Sequence, residues 1–405
     1  MAAGGVFRAL KFVKYLKQHG WEPTVLTAKP IGAWVTDRSL LDEIDCEVHY
    51  TKSFHPVGLY RSFKDRLPKF PSLIIKILWF FFEYLPDLLM IPDTRVGWVP
   101  FAILKGLRLH KSKKFDVILT NSPPHSTHFA GIALSKLTGL PWVTDFKDGW
   151  IVDPFRKKRG FLREMLERNL ERKILTNCTN VISVTEPLVQ YFQQLTHRQV
   201  SLIPNGFDED DFTPTKNKHK SKFVIGYFGA IFGDRDPSPF LISLESFCSN
   251  FKPQKTVKVI FIGPIVGDVM SKIRSFENFE IETKKYIPHR ECIKLMQTCD
   301  VLLTLVGSDK RNNGVLTGKI FEYLRCGLPI LALCPVDGAL WKFLNKFNRI
   351  YKCSPNNTDQ IEKEIEKAYK DIRAVDSGKT SKMLSIYNRK NLTGQLAIHL
   401  TQSLK

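Results

Sequence analysis

Lys319 and Glu322 are three residues apart, so on a helix they share one face. A cation and a carboxylate so placed could hold two parts of one ligand, the ammonium a phosphate and the carboxylate the hydroxyls of a sugar. The same spacing also suits a solvated ion pair, which is common and weak. A second polar cluster lies far upstream, in Asn121-Ser-Pro-Pro-His-Ser-Thr-His128 and Asp145-Phe-Lys-Asp-Gly-Trp150. Each stretch follows a short apolar run. His125 and Asp145 are its candidate catalytic pair, and Asp148 is a candidate substrate contact. Helix capping by Ser126 and Asp148 is the structural alternative. Gly4-Gly5 stands directly before an apolar-periodic run, where backbone N–H groups and the helix dipole favour an anion such as a diphosphate.

These residues need elements to position them. Residues 318–333 read as a short helix, a glycine stop and a buried strand. Gly327 suits the left-handed residue just past a helix end, Pro329 blocks continuation, and Ile330 to Leu333 are apolar enough for a strand covered on both faces. After Gly4-Gly5, residues Val6, Leu10, Val13 and Leu16 form an apolar stripe, with Lys11 and Lys14 on the other side. His19-Gly20 ends that helix, and Pro23 to Thr27 is a strand. Strands at 115–120 and 141–144 deliver the two polar loops at their C-terminal ends, where open α/β sheets hold ligands. A charged amphipathic helix spans 160–177, and Val181 to Thr185 is a strand. A lysine-rich linker at 213–222 leads to a second α/β region with strands at 223–229, 257–263 and 301–306. A last helix covers 381–405. There is no internal repeat.

At 405 residues the chain exceeds one ordinary core, so two domains are expected. A net charge of +20 calls for an anionic partner. No nucleic-acid-reading motif accompanies it, so a membrane surface and a phosphorylated ligand are favoured over a duplex. The eight cysteines show no Cys-x-x-Cys spacing and are read as reduced, in a cytoplasmic setting. Cys292 and Cys299, seven apart, read as a shared buried face. Asp208-Glu-Asp210 follows a turn and is read as turn chemistry, with no metal and no cofactor expected.

Residues 72–91 are strongly apolar but are interrupted by Lys76, Glu83, Pro86 and Asp87, which argues against a membrane-spanning helix. Basic residues flank them: Arg61, Lys64, Arg66 and Lys69 before, Lys105, Arg108, Lys111, Lys113 and Lys114 after. An apolar face with a basic rim suits a helix lying in an anionic membrane interface. A buried core helix with solvated neighbours is the alternative.

Lys-x-x-Glu-Tyr-x-x-x-Gly-x-Pro-Ile at 319–330 resembles the donor-site segment of retaining, GT-B-fold glycosyltransferases of family 4 (group 1). Ser-Pro-Pro-His, Asp-Phe-Lys-Asp and Pro204-Asn-Gly-x-Asp208 resemble further loops and the interdomain hinge of that family. The resemblance spans nearly the whole chain and rests on order and spacing. It implies two Rossmann-like α/β domains facing a central cleft: 1–208 on the acceptor side, 209–380 on the donor side, and 381–405 crossing back to the first. It implies a ribose contact for Glu322 and diphosphate contacts for Lys319, Arg235 and the Gly4-Gly5 loop. The family's strand before that loop is not in this sequence, and Gly314 stands where it usually has a second glutamate. The implied activity is transfer from a nucleoside-diphosphate sugar to a hydroxyl of a glycan or lipid-linked acceptor, as in polysaccharide biosynthesis, at the cytoplasmic membrane face. A sugar-nucleotide epimerase or hydrolase using Asp145 and Asp148, or a non-catalytic relative, are the alternatives.

Overall fold

A computed structural model of the chain describes residues 4–30, 37, 40–63, 72–157, 159–213, 221–266, 276, 278–371 and 383–405. The chain divides into two compact units, Met1–Pro204 with Thr393–Lys405, and Asn205–Leu392.

The first unit opens with α1 (Gly4–Leu16), β1 (Thr24–Ala28), β2 (Glu47–Thr51) and α2 (Pro56–Phe63). The apolar run then forms α3 (Ser72–Trp79), a π-helical turn (Phe80–Tyr84) and α4 (Leu85–Leu89). There follow α5 (Val99–Lys113), β3 (Ile118–Ser122), α6 (Thr127–Thr138), β4 (Trp142–Phe146), α7 (Phe161–Asn177), β5 (Asn180–Ser183), α8 (Glu186–Leu195) and β6 (Val200–Leu202). Strands β1 and β2 pair in parallel, and β3-β4-β5-β6 form a separate parallel sheet in sequence order. Every residue of β4 and β5 is buried, because helices return over both faces of a parallel sheet. Trp142, Phe146, Trp150, Leu175, Val181 and Phe192 share this core.

The second unit holds β7 (Lys222–Phe228), α9 (Ser238–Phe251), β8 (Thr256–Ile262), β9 (Glu280–Lys284), α10 (His289–Thr298), β10 (Val301–Leu305), α11 (Lys319–Cys326), β11 (Ile330–Leu333), α12 (Ala339–Leu344), β12 (Ile350–Cys353) and α13 (Thr358–Lys370). Its six parallel strands run in the order β12-β11-β10-β7-β8-β9. Winding therefore reverses between β7 and β10, the switch point where such sheets take ligands. A hydrophobic core lies on each face. Cys292 and Cys299 are both buried in one of them, and all eight cysteines are free thiols.

The final helix, α14 (Arg389–Gln402), joins the first unit from Thr393 onward. His399 Nδ1 lies 3.4 Å from Asn180 Nδ2 and 3.5 Å from Ser201 Oγ, on β5 and β6. The expected single helix from 381 is shorter than read. Its first two residues lie outside those described. Before α14 the chain makes a 3-10 turn (Ser385–Tyr387), and Asn388 is extended and bridges to Phe207. The amides of Phe207 and Arg389 are satisfied there, by the Tyr387 and Phe207 carbonyls, and not by a helix.

One further expectation is corrected, and one alternative for the apolar run is not met. Lys11 does not lie on a solvated side of α1: it is buried, and its Nζ donates to Glu43 Oε2 at 2.6 Å. The run 72–89 is not a core helix. Trp79, Phe80, Phe81 and Tyr84 are all exposed, and among the described residues no helix is long and apolar enough to cross a membrane. Of the basic residues expected before it, Lys64, Arg66 and Lys69 fall outside the described residues, as does most of the 213–222 linker.

Gly327 has φ 68° and its amide donates to Leu324 O, as the glycine stop required. Any side chain in that left-handed region is strained. Gly327→Ala is expected to lower stability by about 1–2 kcal/mol, read from a urea transition of the second unit. An unchanged midpoint would remove glycine's role as the stop.

Candidate active site

At the switch point of the second unit, the loops after β7 and β10 are tied by one carboxylate. Asp234 Oδ2 accepts from Asn312 Nδ2 at 2.7 Å and from the Asp309 amide at 3.2 Å. A Cβ on Gly307 would lie 2.0 Å from the Asp234 carboxyl carbon, so only glycine fits there. This link places Arg235, whose guanidinium lies 4.7 Å from the Phe232 ring. Gly314 ends the 3-10 turn that carries Asn312.

Helix α11 is fastened to the same region. The Tyr323 hydroxyl accepts from the Phe228 amide at 2.9 Å, at the end of β7. Lys319 Nζ donates to Glu322 Oε2 at 2.8 Å, so the shared face read from the spacing is present. Burial works against the Lys319 ammonium, but the Glu322 carboxylate more than offsets it, and the pKa is raised. Lys319 is therefore a cation at neutral pH. His289, first residue of α10, has Nε2 3.5 Å from Glu322 Oε1 and 3.4 Å from Asp211 Oδ2. Thr317 Oγ1, just before the helix, is buried without a hydrogen-bond partner. Cation, carboxylate and hydroxyl thus crowd one helix start, whose dipole favours an anion.

In the first unit, Asp145 ends up with no exposed surface. Arg8 Nε and Nη2 donate to its two oxygens at 2.9–3.2 Å, and Arg8 is equally buried. Arg8 Nη1 donates to Pro204 O at 2.8 Å. A carboxylate enclosed this way cannot reach a substrate hydroxyl in this arrangement; what it can do is hold α1, whose first turn contains Gly4 and Gly5.

His125 stacks almost parallel on Trp150, with ring centroids 5.4 Å apart, and also faces Phe146 at 6.1 Å. Its Nδ1 is buried without a partner. Burial pushes its pKa down to about 4, against a weaker opposing pull from Glu167, so the imidazole is neutral at pH 7. His128 is different. Trp142 Nε1 donates to Thr120 Oγ1 at 2.8 Å, and Thr120 Oγ1 lies 2.8 Å from His128 Nδ1. The Thr120 hydroxyl thus links the two rings, and the fully buried His128 ring belongs to the core.

The capping alternative for Ser126 is not what the structure has. Asp93, from the loop after α4, accepts from the Ser126 amide and hydroxyl at 2.9 and 2.8 Å. Burial raises the pKa of Asp93 even though these bonds oppose it. Asp148 is exposed in the bend after β4. Beyond it, Glu167 takes the Trp150 indole N–H at 3.2 Å and the Arg156 guanidinium at 2.9 Å, while Glu171 accepts from the Ile151 amide and the Tyr191 hydroxyl. Asp208 caps a 3-10 turn by accepting from the Asp210 amide, the turn chemistry expected of it.

Sequence reasoning missed Arg8, Asp93, Asp211 and the Asp234–Asn312 link. Only Arg8 left a signal: a charged residue inside an apolar-periodic run.

Fold and site define a GT-B protein, two Rossmann-like units with a polar site at strand ends. The chain belongs to the glycosyl transferase 4-like domain family, which matches residues 3–206, and so stands among the glycosyltransferases. No curated protein sequence matches it. Sucrose-phosphate synthase from Thermosynechococcus elongatus is similar in structure, at TM-score 0.66 and 14% identity over 99% of this chain and 94% of that one. Anabaena HepE, solved with UDP and glucose, superposes at TM-score 0.63 and 15% identity over 99% and 97%. A putative UDP-N-acetylglucosamine 2-epimerase from Listeria monocytogenes does so at TM-score 0.58 and 11% identity over 98% and 92%.

Breaking the buried pair should be costly: Arg8→Met is expected to destabilise the first unit by about 3–5 kcal/mol, because Asp145 is left buried without its partner. Adding Asp145→Leu should recover most of that loss. If the double variant is no more stable than the single, the pair is not the cause.

His125 should make stability fall on acidification. With a folded-state pKa near 4 and an unfolded one near 6.5, the unfolded chain binds this proton first. Stability is intact above pH 6.5 and declines as pH drops toward 4. His125→Phe should flatten that decline by roughly 3 kcal/mol. Equal slopes in urea titrations of both proteins would refute the buried, neutral state.

Proposed function

We propose that this glycosyltransferase moves a sugar from a nucleoside-diphosphate donor to a hydroxyl of a glycan or lipid-linked acceptor, with retention at the anomeric carbon. The observation that carries the reading is the start of α11, where Lys319 and Glu322 converge beside the switch point of a parallel sheet. The second unit is the donor half. Glu322 exchanges its contacts with Lys319 and His289 for the ribose hydroxyls, and Lys319 and Arg235 offset the charge growing on the departing diphosphate. In the first unit Asp145 serves through Arg8 as a positioning residue that fixes the start of α1, where the Gly4 and Gly5 amides are the candidate anion contacts. A neighbour of the same fold holds UDP and glucose, which supports a donor of this class.

The first unit is the acceptor half. The acceptor oxygen forms the new bond to the anomeric carbon as the bond to phosphate breaks, and its proton passes to the departing phosphate oxygen. His125, neutral at pH 7, accepts a hydrogen bond from that hydroxyl and orients it. Asp148, exposed at the neighbouring strand end, is the other acceptor-side contact. The rival epimerase or hydrolase needs Asp145 as an acid or base, and its burial against Arg8 disfavours that. The protein works at the cytoplasmic face of a membrane, which its exposed aromatic run at 79–84 supports.

Incubation with a panel of nucleotide sugars, with and without a lipid-linked acceptor, separates the readings. Acceptor-dependent nucleoside diphosphate release is expected. Acceptor-independent turnover would favour the rival enzyme, and none with any donor a non-catalytic relative. Glu322→Ala should weaken nucleoside diphosphate binding by about 1.5–3 kcal/mol in a calorimetric titration, through loss of charge-assisted bonds to the ribose. Unchanged affinity would end the ribose role.

A further inference from the structure

We propose that the first two turns of α7 are a second lipid-inserting element, joined to the 72–89 run so that the two form one face for an anionic bilayer. The inference rests on the membrane reading above. Its starting point is Phe161 and Leu162, which are 81% and 75% exposed, more than any other large apolar side chain described. Met165 and Leu166 are also exposed, and the spacing 161, 162, 165, 166 puts all four on one side of the helix. Such a stripe on a helix end has no use for water. Contiguous apolar surface of this kind marks a docking face.

Arg163 projects from the same turns and holds the two elements together. Its Nη1 donates to the Asp87 carbonyl at 3.0 Å and to the Leu88 carbonyl, and its Nη2 donates to the Met90 carbonyl at 3.1 Å. These are the open carbonyls at the end of α4, so Arg163 caps that helix while fixing it beside α7. Leu88 and Leu89 are exposed at this junction, and α3 and the π-helical turn carry the apolar surface onward to Trp79 and Phe81.

Charge selects the occupant. Asp87 is neutralised by Lys157 and Arg159, Glu167 by Arg156 and Arg163, and Glu164 by Arg168. These five cations exceed the three carboxylates they meet, and Lys76 is exposed on α3. A second copy of the chain would bring the same surplus of positive charge and be repelled. An anionic bilayer supplies both the apolar interior and the countercharge.

The test is flotation of the full chain with vesicles of phosphatidylcholine and phosphatidylglycerol, and of phosphatidylcholine alone, at low and high salt. Phe161→Ser with Leu162→Ser is compared with Trp79→Ser, Phe80→Ser and Phe81→Ser together, and with Met165→Ser and Leu166→Ser. Circular dichroism and light-scattering mass run alongside. The expected result is that the 161/162 variant keeps its fold and mass but loses at least about tenfold in salt-resistant partitioning, with the 165/166 pair losing less. If it floats like the parent while the 79–81 variant does not, the second element is wrong and the membrane reading stands. If the parent floats with neither vesicle, both fail. If the parent is a dimer that these substitutions dissociate, the face belongs to a second copy and the proposal falls.

Discussion

A guanidinium and a carboxylate that see no water have to satisfy one another. Arg8 and Asp145 do so through two nitrogens and two oxygens, and the remaining guanidinium nitrogen takes a backbone carbonyl at Pro204. Three distant stretches of chain meet at this group: the first helix, the end of β4 and Pro204, where the chain leaves the first unit. Directional bonds to a planar fork tolerate little displacement. The pair adds little net stability over an apolar filling, yet once present neither half can be left alone. That asymmetry makes it a device of register, fixing where α1 begins against the strand that ends in the Asp145 loop.

The second unit solves the same problem with one charge. Asp234 gathers two donors from the loop after β10 while sitting in the loop after β7. Glycine at 307 is the steric condition for that approach. Tyr323 ties α11 to the end of β7 by a single bond from its hydroxyl to an amide. Loops at a switch point have no sheet of their own to hold them, so polar links of this kind place Arg235 and Lys319.

Much of this was legible in the sequence because it is local. The glycine stop at 327, the apolar strand 330–333 and the Lys319–Glu322 face depend only on residues a few positions apart. The four strands not anticipated, β2, β6, β9 and β12, lie outside the buried centre of the sheets and lack its continuous apolar run. β9 is the clearest case. It is an edge strand in which Glu280 pairs with Lys222 and Glu282 with Lys258 on other strands, while Glu282 also meets Lys284 two residues along β9, so its paired charges read as loop polarity. Asp145 was found by its position at a strand end, but its partner lies 137 residues away and no spacing rule reaches that far. Ser126 looked like a cap because a cap supplied from elsewhere, Asp93, leaves the same serine in the same place.

The large positive charge acquires a meaning from where charge is buried. Of the three Lys and Arg side chains buried among the described residues, Arg8 and Lys11 lie inside the first unit against Asp145 and Glu43, and Arg389 belongs to the second. The surplus is therefore borne by the surface. There it can act over roughly 8–10 Å at moderate salt, far enough to gather anions but not to hold them in a fixed pose. Fixing the pose needs groups with set geometry, and the start of α11 has half-buried ones in Lys319, Glu322 and the unpartnered Thr317 hydroxyl. In the proposed transferase, surface charge raises the local concentration of the anionic donor and the start of α11 selects it.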